Sequence, residues 1–121
     1  MHNYSELKIW QRSRTLVKLI YQMTDSIPKS QQYGLVNQMQ RAVVSIPSNI
    51  AEGAGRNSDR EFVHFLDIAN GSAFELETQV FLSFDLGYIK NDELDALVSE
   101  LKEIQKMIYK FRNNLVEALD A

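Results

Sequence analysis

Leu35, Met39, Ala42, Val43, Ile46, Ile50 and Ala54 recur at steps of three and four along the second quarter of the chain. That period gathers them on one face of an α-helix. Gln38, Arg41, Ser45, Asn49, Glu52 and Arg56 recur with the same period, and at ~100° per residue they fall within a sector of roughly 80°. The polar line is centred about 110° around the helix from the apolar one. A surface helix normally turns its polar residues away from the core. Here hydrogen-bonding groups occupy the core's shoulder and require a partner there.

The same patterning predicts three further helices. Over residues 5–26, Trp10, Val17, Ile20, Tyr21 and Thr24 follow helical spacing with Ser13 between them, and Ile9, Leu16 and Met23 form a second line on a neighbouring face. This helix is apolar over a wide arc, and Pro28 stops it because the residue before a proline leaves helical geometry. The second helix is predicted over 30–53, bent at Pro47 and closed by the glycines of GAG in a left-handed terminus. Ser58 and Glu61 form an S-x-x-E capping box that opens the third helix, 58–86.

On that helix Phe62, Phe65, Leu66, Ala69, Ala73, Leu76, Val80 and Phe84 share a face, and small residues at 69 and 71–73 permit a close neighbour. Gly87 ends it, and Asn91 is the expected N-cap of helix four, 91–117. There Leu94, Leu97, Leu101, Ile104, Ile108, Phe111 and Leu115 make an unbroken heptad seam. Helices of this length with short turns predict one all-α domain over 1–121, an antiparallel up-down-up-down four-helix bundle.

Some apolar positions exceed what one bundle core absorbs. Val63, Phe74 and Phe81 lie together on helix three, roughly a right angle from its core face. With Ile9, Leu16 and Met23 they form a candidate oligomer surface.

Net charge is −3, from 13 Lys/Arg and 16 Asp/Glu, which argues against a strongly basic nucleic-acid binder. The halves differ, however. Residues 1–60 hold eight basic and four acidic side chains (+4), and residues 61–121 hold five and twelve (−7). Such polarity allows one subunit's basic half to meet another's acidic half, or a basic face to meet phosphates. Lys8, Arg12, Arg56, Arg60, Lys102, Lys106 and Lys110 are the candidate phosphate contacts, and a single-strand mode, which interleaves stacking aromatic residues with the cations, is not the expectation. GAGRNS lacks the lysine and the spacing of a phosphate-binding loop and reads as a helix–helix turn.

The chain has no cysteine and two histidines, His2 and His64, without a partner at ligand spacing. No metal or other cofactor is expected. No apolar run reaches the ~20 residues needed to span a bilayer, and the first residues lack the features of a signal peptide. A cytoplasmic protein without a membrane partner is the expectation.

The segments YSELKIW, SIPSNIAEGAGR, EFVHFLDIANGSAFELETQ and LGYI resemble the four-helix-bundle family named for proteins encoded in intervening sequences of bacterial 23S ribosomal RNA genes. The resemblance spans Tyr4 to about Ile108. It implies a left-handed four-helix bundle, assembled in known members as a homopentameric ring. It also implies kinship with the accessory variability protein of diversity-generating retroelements, a pentameric barrel that binds a reverse transcriptase and nucleic acid. Arg14 and Phe74 depart from the family's usual smaller or aliphatic residues.

Gln38, Arg41, Ser45, Asn49, Glu52 and Arg56, with Glu61 and Glu75 from helix three, are therefore expected to form a polar network. An arginine–carboxylate pair across helices two and three would fix register within the subunit or between subunits. The functional expectation is a non-enzymatic oligomeric interaction or scaffold protein with an RNA or protein partner. The alternative is a ligand-binding or hydrolytic bundle using Arg41, Glu52 and Glu75.

Overall fold

The computed structural model describes all residues from Met1 to Ala121. It contains four α-helices and no strand: α1 (Lys8–Thr24), α2 (Asn37–Ala54), α3 (Asp59–Asp85) and α4 (Asn91–Asp120). Each packs on the next in sequence, and α4 meets α1 to close the bundle. The α2–α3 interface is the most extensive and the α1–α4 interface the least. Cross-helix contacts run in opposite numerical order. On α2 and α3 they join Gly53 to Phe62 and Phe65, Ser45 to Ser72, and Met39 to Ser83, and on α3 and α4 Asp67 to Arg112 and Glu77 to Gln105. Both pairs are antiparallel over these lengths.

The predicted periodicities form the core. Met39, Ala42, Val43, Ile46, Ile50 and Ala54 of α2 are buried, as are Leu94, Leu97, Leu101, Ile104, Ile108 and Leu115 of the α4 heptad. On α1 the second apolar line prevails. Ile9, Leu16 and Met23 point inward with Ser13, Ile20 and Thr24, whereas Trp10 and Val17 are half-buried and Tyr21 is exposed. Two adjacent apolar stripes cannot both face one core, and the branched and flexible aliphatic side chains fill its interior.

Boundaries moved where local backbone geometry intervenes. Tyr4–Glu6 forms a 3-10 turn and Leu7 is extended, so the regular helix begins at Lys8 rather than Ser5. The predicted start at Ser30 is occupied by a 3-10 turn (Lys29–Gln31) and a π turn (Gln32–Val36) in which Gly34 leaves helical geometry. Lys90, not Asn91, is the N-cap of α4, and the Glu93 carboxylate accepts its backbone N–H at 3.2 Å. Ser58 caps α3 as the S-x-x-E pattern requires, its Oγ accepting the Glu61 N–H at 3.2 Å.

Two of the glycines meet distinct steric demands. Gly87 adopts φ 80° after α3, with the Gly87 N–H donating to Phe84 O and the Tyr88 N–H to Ser83 O, the paired bonds of a Schellman terminus. GAG does something other than expected. Gly55 is right-handed (φ −82°) and α2 ends without a left-handed residue. Gly53 is instead a close-approach glycine, because a Cβ there would stand 2.7 Å from Phe62 Cδ1 and 2.7 Å from Phe65 Cβ. Pro47 lies within α2, which continues through it.

Gly53→Ala should therefore lower stability by about 1–3 kcal/mol, the usual cost of overpacking. Gly87→Ala should cost about 1–2 kcal/mol by forcing a Cβ into left-handed geometry. Urea unfolding followed by circular dichroism measures both, and a Gly53→Ala midpoint equal to wild type would contradict the close approach.

Candidate functional site

The polar line of α2 splits into two environments. Its middle meets α3: Ser45 Oγ lies 2.9 Å from Ser72 Oγ, and Asn49 Nδ2 donates to Ser45 O at 2.8 Å and to Ser45 Oγ at 2.9 Å. Its ends face solvent. Gln38 and Arg41 are exposed, and Arg56 pairs with Glu52 of its own helix at 2.7 Å while its guanidinium lies 4.9 Å from the Phe65 ring centroid.

Glu61 completes the Ser58 cap, and the Glu75 carboxylate accepts from Gln79 of the same helix at 3.4 Å. The expected arginine–carboxylate bridge between α2 and α3 is thus replaced by a hydroxyl–amide cluster, for which the shorter side chains suit the narrow α2–α3 gap. Arg41 lines a shallow depression with Tyr21, Asn37 and Gln40, and Glu52 lines a different groove. Arg41, Glu52 and Glu75 are not gathered in one pocket.

The candidate phosphate contacts also separate. Arg12 Nε and Nη2 donate to the two carboxylate oxygens of Glu100, both at 2.9 Å, joining α1 to α4. This hydrogen bonding holds the Arg12 guanidinium above its ordinary pKa, against the opposing effect of burial. With its fork occupied, Arg12 is a clasp rather than a free phosphate contact. Arg56 is similarly engaged, and Lys102 Nζ lies 3.8 Å from Glu77. Lys8, Arg60, Lys106 and Lys110 are exposed and make no ion pair.

The candidate oligomer surface is corrected in the same way. Ile9, Leu16 and Met23 are core residues and offer nothing to a neighbour, and Val63 packs against that core. Phe74 and Phe81 remain exposed. A second apolar surface lies where the other stripe of α1 faces α2: Tyr4, Trp10, Val17, Val44, Pro47 and Ala51 line one wide groove, bordered by exposed Tyr21. The Arg14 guanidinium sits 5.3 Å from the Trp10 ring centroid there.

Three polar connections had no readable signal in the sequence. The His2 backbone N–H donates to Ala54 O at 2.7 Å, its Nε2 lies 2.8 Å from Asp59 Oδ1, and its ring packs 5.0 Å from Phe62. Arg112 donates to Asp67 at 3.0 Å, and Gln105 donates to Glu77 at 3.2 Å. Each joins residues 28 to 57 positions apart, a separation no periodicity encodes. His64 is exposed. No three His, Asp or Glu side chains gather as metal ligands, and no helix is long and apolar enough to cross a membrane.

These features define an all-α four-helix bundle with polar clasps between its helices and exposed apolar surfaces along its sides. Residues 5–110 match the 23S rRNA-intervening sequence protein family, and the chain belongs to it. The fold is similar to the crystal structure of a protein of unknown function from the S23 ribosomal protein family of Bacteroides thetaiotaomicron. The TM-score is 0.78 at 22% identity, over 87% of this chain and 95% of that one. No curated protein matches the chain.

Removing the Ser45 hydroxyl takes partners from Ser72 and Asn49 together. Ser45→Ala should cost about 0.5–1.5 kcal/mol, the net worth of a hydrogen bond at a half-buried site where Asn49 keeps its bond to Ser45 O. Arg41→Ala, on an exposed side chain, should stay within about 0.5 kcal/mol of wild type. Thermal unfolding of the two variants side by side checks the division, and equal losses would contradict it.

Proposed function

We propose that the protein is a self-associating interaction protein without catalytic activity, its subunits packing side by side through the α1–α2 groove and the Phe81 flank of α3. The observation that carries this reading is the exposure of Tyr4, Tyr21, Val44 and Phe81, large apolar side chains left outside a core that is already closed. Tyr4 and Val44 line one groove with half-buried Trp10 and Val17, and Phe81 forms a separate exposed position on α3, surfaces of the kind a partner covers.

Charge favours a head-to-tail contact. The α1–α2 half carries +4 and the α3–α4 half −7, so opposite layers attract, whereas a two-fold contact confined to one layer would set like against like. Head-to-tail contacts close into rings, and the family resemblance favours five copies.

A phosphate-bearing partner, RNA above all, is the second reading. It is supported by the exposed cations Lys8, Arg60, Lys106 and Lys110, which make no ion pair within the subunit and which a ring would repeat on every copy. The ligand-binding or hydrolytic alternative draws no comparable support, because Arg41, Glu52 and Glu75 share no pocket.

Light scattering after size exclusion should give a mass several times 13.9 kDa at micromolar concentration. Val44→Glu and Phe81→Glu should each shift that mass downward while leaving the helical circular dichroism unchanged. A monomeric wild-type protein would refute self-association.

A further inference from the structure

Tyr109 stands among the α4 lysines along the sequence, and the fold brings Phe74 of α3 beside them. Asn70 and Phe74 from α3 and Lys102, Gln105, Lys106 and Tyr109 from α4 line one open groove of about 520 Å³. Phe74 is 54% and Tyr109 61% exposed, and neither packs on another aromatic ring. Lys106 makes no ion pair, and Lys102 reaches Glu77 only at 3.8 Å with its side chain 60% exposed. Asn70 Oδ1 is sealed below the surface without a hydrogen-bond donor.

We propose that this α3–α4 groove binds a nucleobase carrying a phosphate. The groove offers two exposed aromatic side chains for stacking a base, and two lysines for the phosphate, of which Lys106 is unpaired. Stacking on an aromatic side chain beside a cationic track is the general mode of single-strand recognition, and it tolerates any base because each has a π-face. A purely apolar partner would leave Lys106 without a counter-charge, and a bare phosphate would leave Phe74 and Tyr109 unused. The groove shares no lining residue with the α1–α2 face assigned to self-association, and Phe81, the other contact assigned to it, stands about two helical turns along α3 from Phe74.

The ligand chemistry is shared by a free nucleotide and by a single-stranded RNA. The proposal rests on the phosphate-partner reading and adds to it a site and a base contact.

The test titrates full-length protein into a fluorescently labelled single-stranded RNA of mixed sequence, with the unlabelled strand, the matching duplex and adenosine monophosphate as competitors. Binding of the strand should weaken about tenfold in Phe74→Ala and in Tyr109→Ala, both exposed positions whose loss leaves helicity intact. Lys106→Gln should reduce the slope of log affinity against log salt by roughly 0.7, the single-strand value for one phosphate contact.

Competition by the monophosphate would identify a free nucleotide as a sufficient ligand. Competition by unlabelled strand alone would identify an RNA. Either supports the groove. RNA binding that is indifferent to both aromatic substitutions, or equally strong for the duplex, overturns the groove and leaves the phosphate reading standing. Binding of neither probe at millimolar concentration overturns both. Mass measured on the same samples keeps these outcomes separate from self-association.

Discussion

The close approach of α2 to α3 is the constraint on which the remaining structure depends. At one end it needs a residue without a side chain, because Gly53 lies directly against Phe62 and Phe65. Further along, Ser45 and Ser72 hydroxyls meet at 2.9 Å, and Ala69 and Ala73 are wholly buried. Small groups bring the backbones together, which increases dispersion contact along the whole interface. They also exclude long ion-pairing side chains from the gap. The glutamate and arginine residues of the α2 line are consequently displaced to the surface, and short polar groups hold the register.

The α1–α4 side is built differently. It is the least extensive of the sequential and closing interfaces, and its connection comes from a bidentate ion pair, Arg12 with Glu100. A planar guanidinium binding both carboxylate oxygens fixes orientation as well as distance. At the end of the bundle, the His2 ring rests on Phe62 of α3 at 5.0 Å and approaches Phe111 of α4 at 6.3 Å. The bundle is therefore closed by apolar packing on one side and by polar clasps on the other. The clasps consume charges that would otherwise be free for a partner.

What remains available to other molecules follows from that use of side chains. Core formation takes one of the two apolar stripes of α1 and leaves Trp10, Val17 and Tyr21 beside α2. The pairing of α3 with α4 takes Gln105 and engages Glu77, while Phe74, Tyr109 and Lys106 stay at the rim. The surfaces on which the proposed interactions rest are made by the same packing choices that complete the core.

The four helices, the Ser58–Glu61 cap, the Gly87 terminus and the α4 heptad were legible because each depends on residues within a few positions of one another. Helical period, capping geometry and left-handed turns are local physics, so the chain alone determined them. The choice between the two stripes of α1 was not local, since both have helical spacing and only the shape of the shared core distinguishes them. The same holds for the partners of Arg12, His2 and Gln105, and for the meeting of Phe74 with the α4 lysines. Those pairings join residues far apart in sequence, and only the distance and register at which the helices pack decided them.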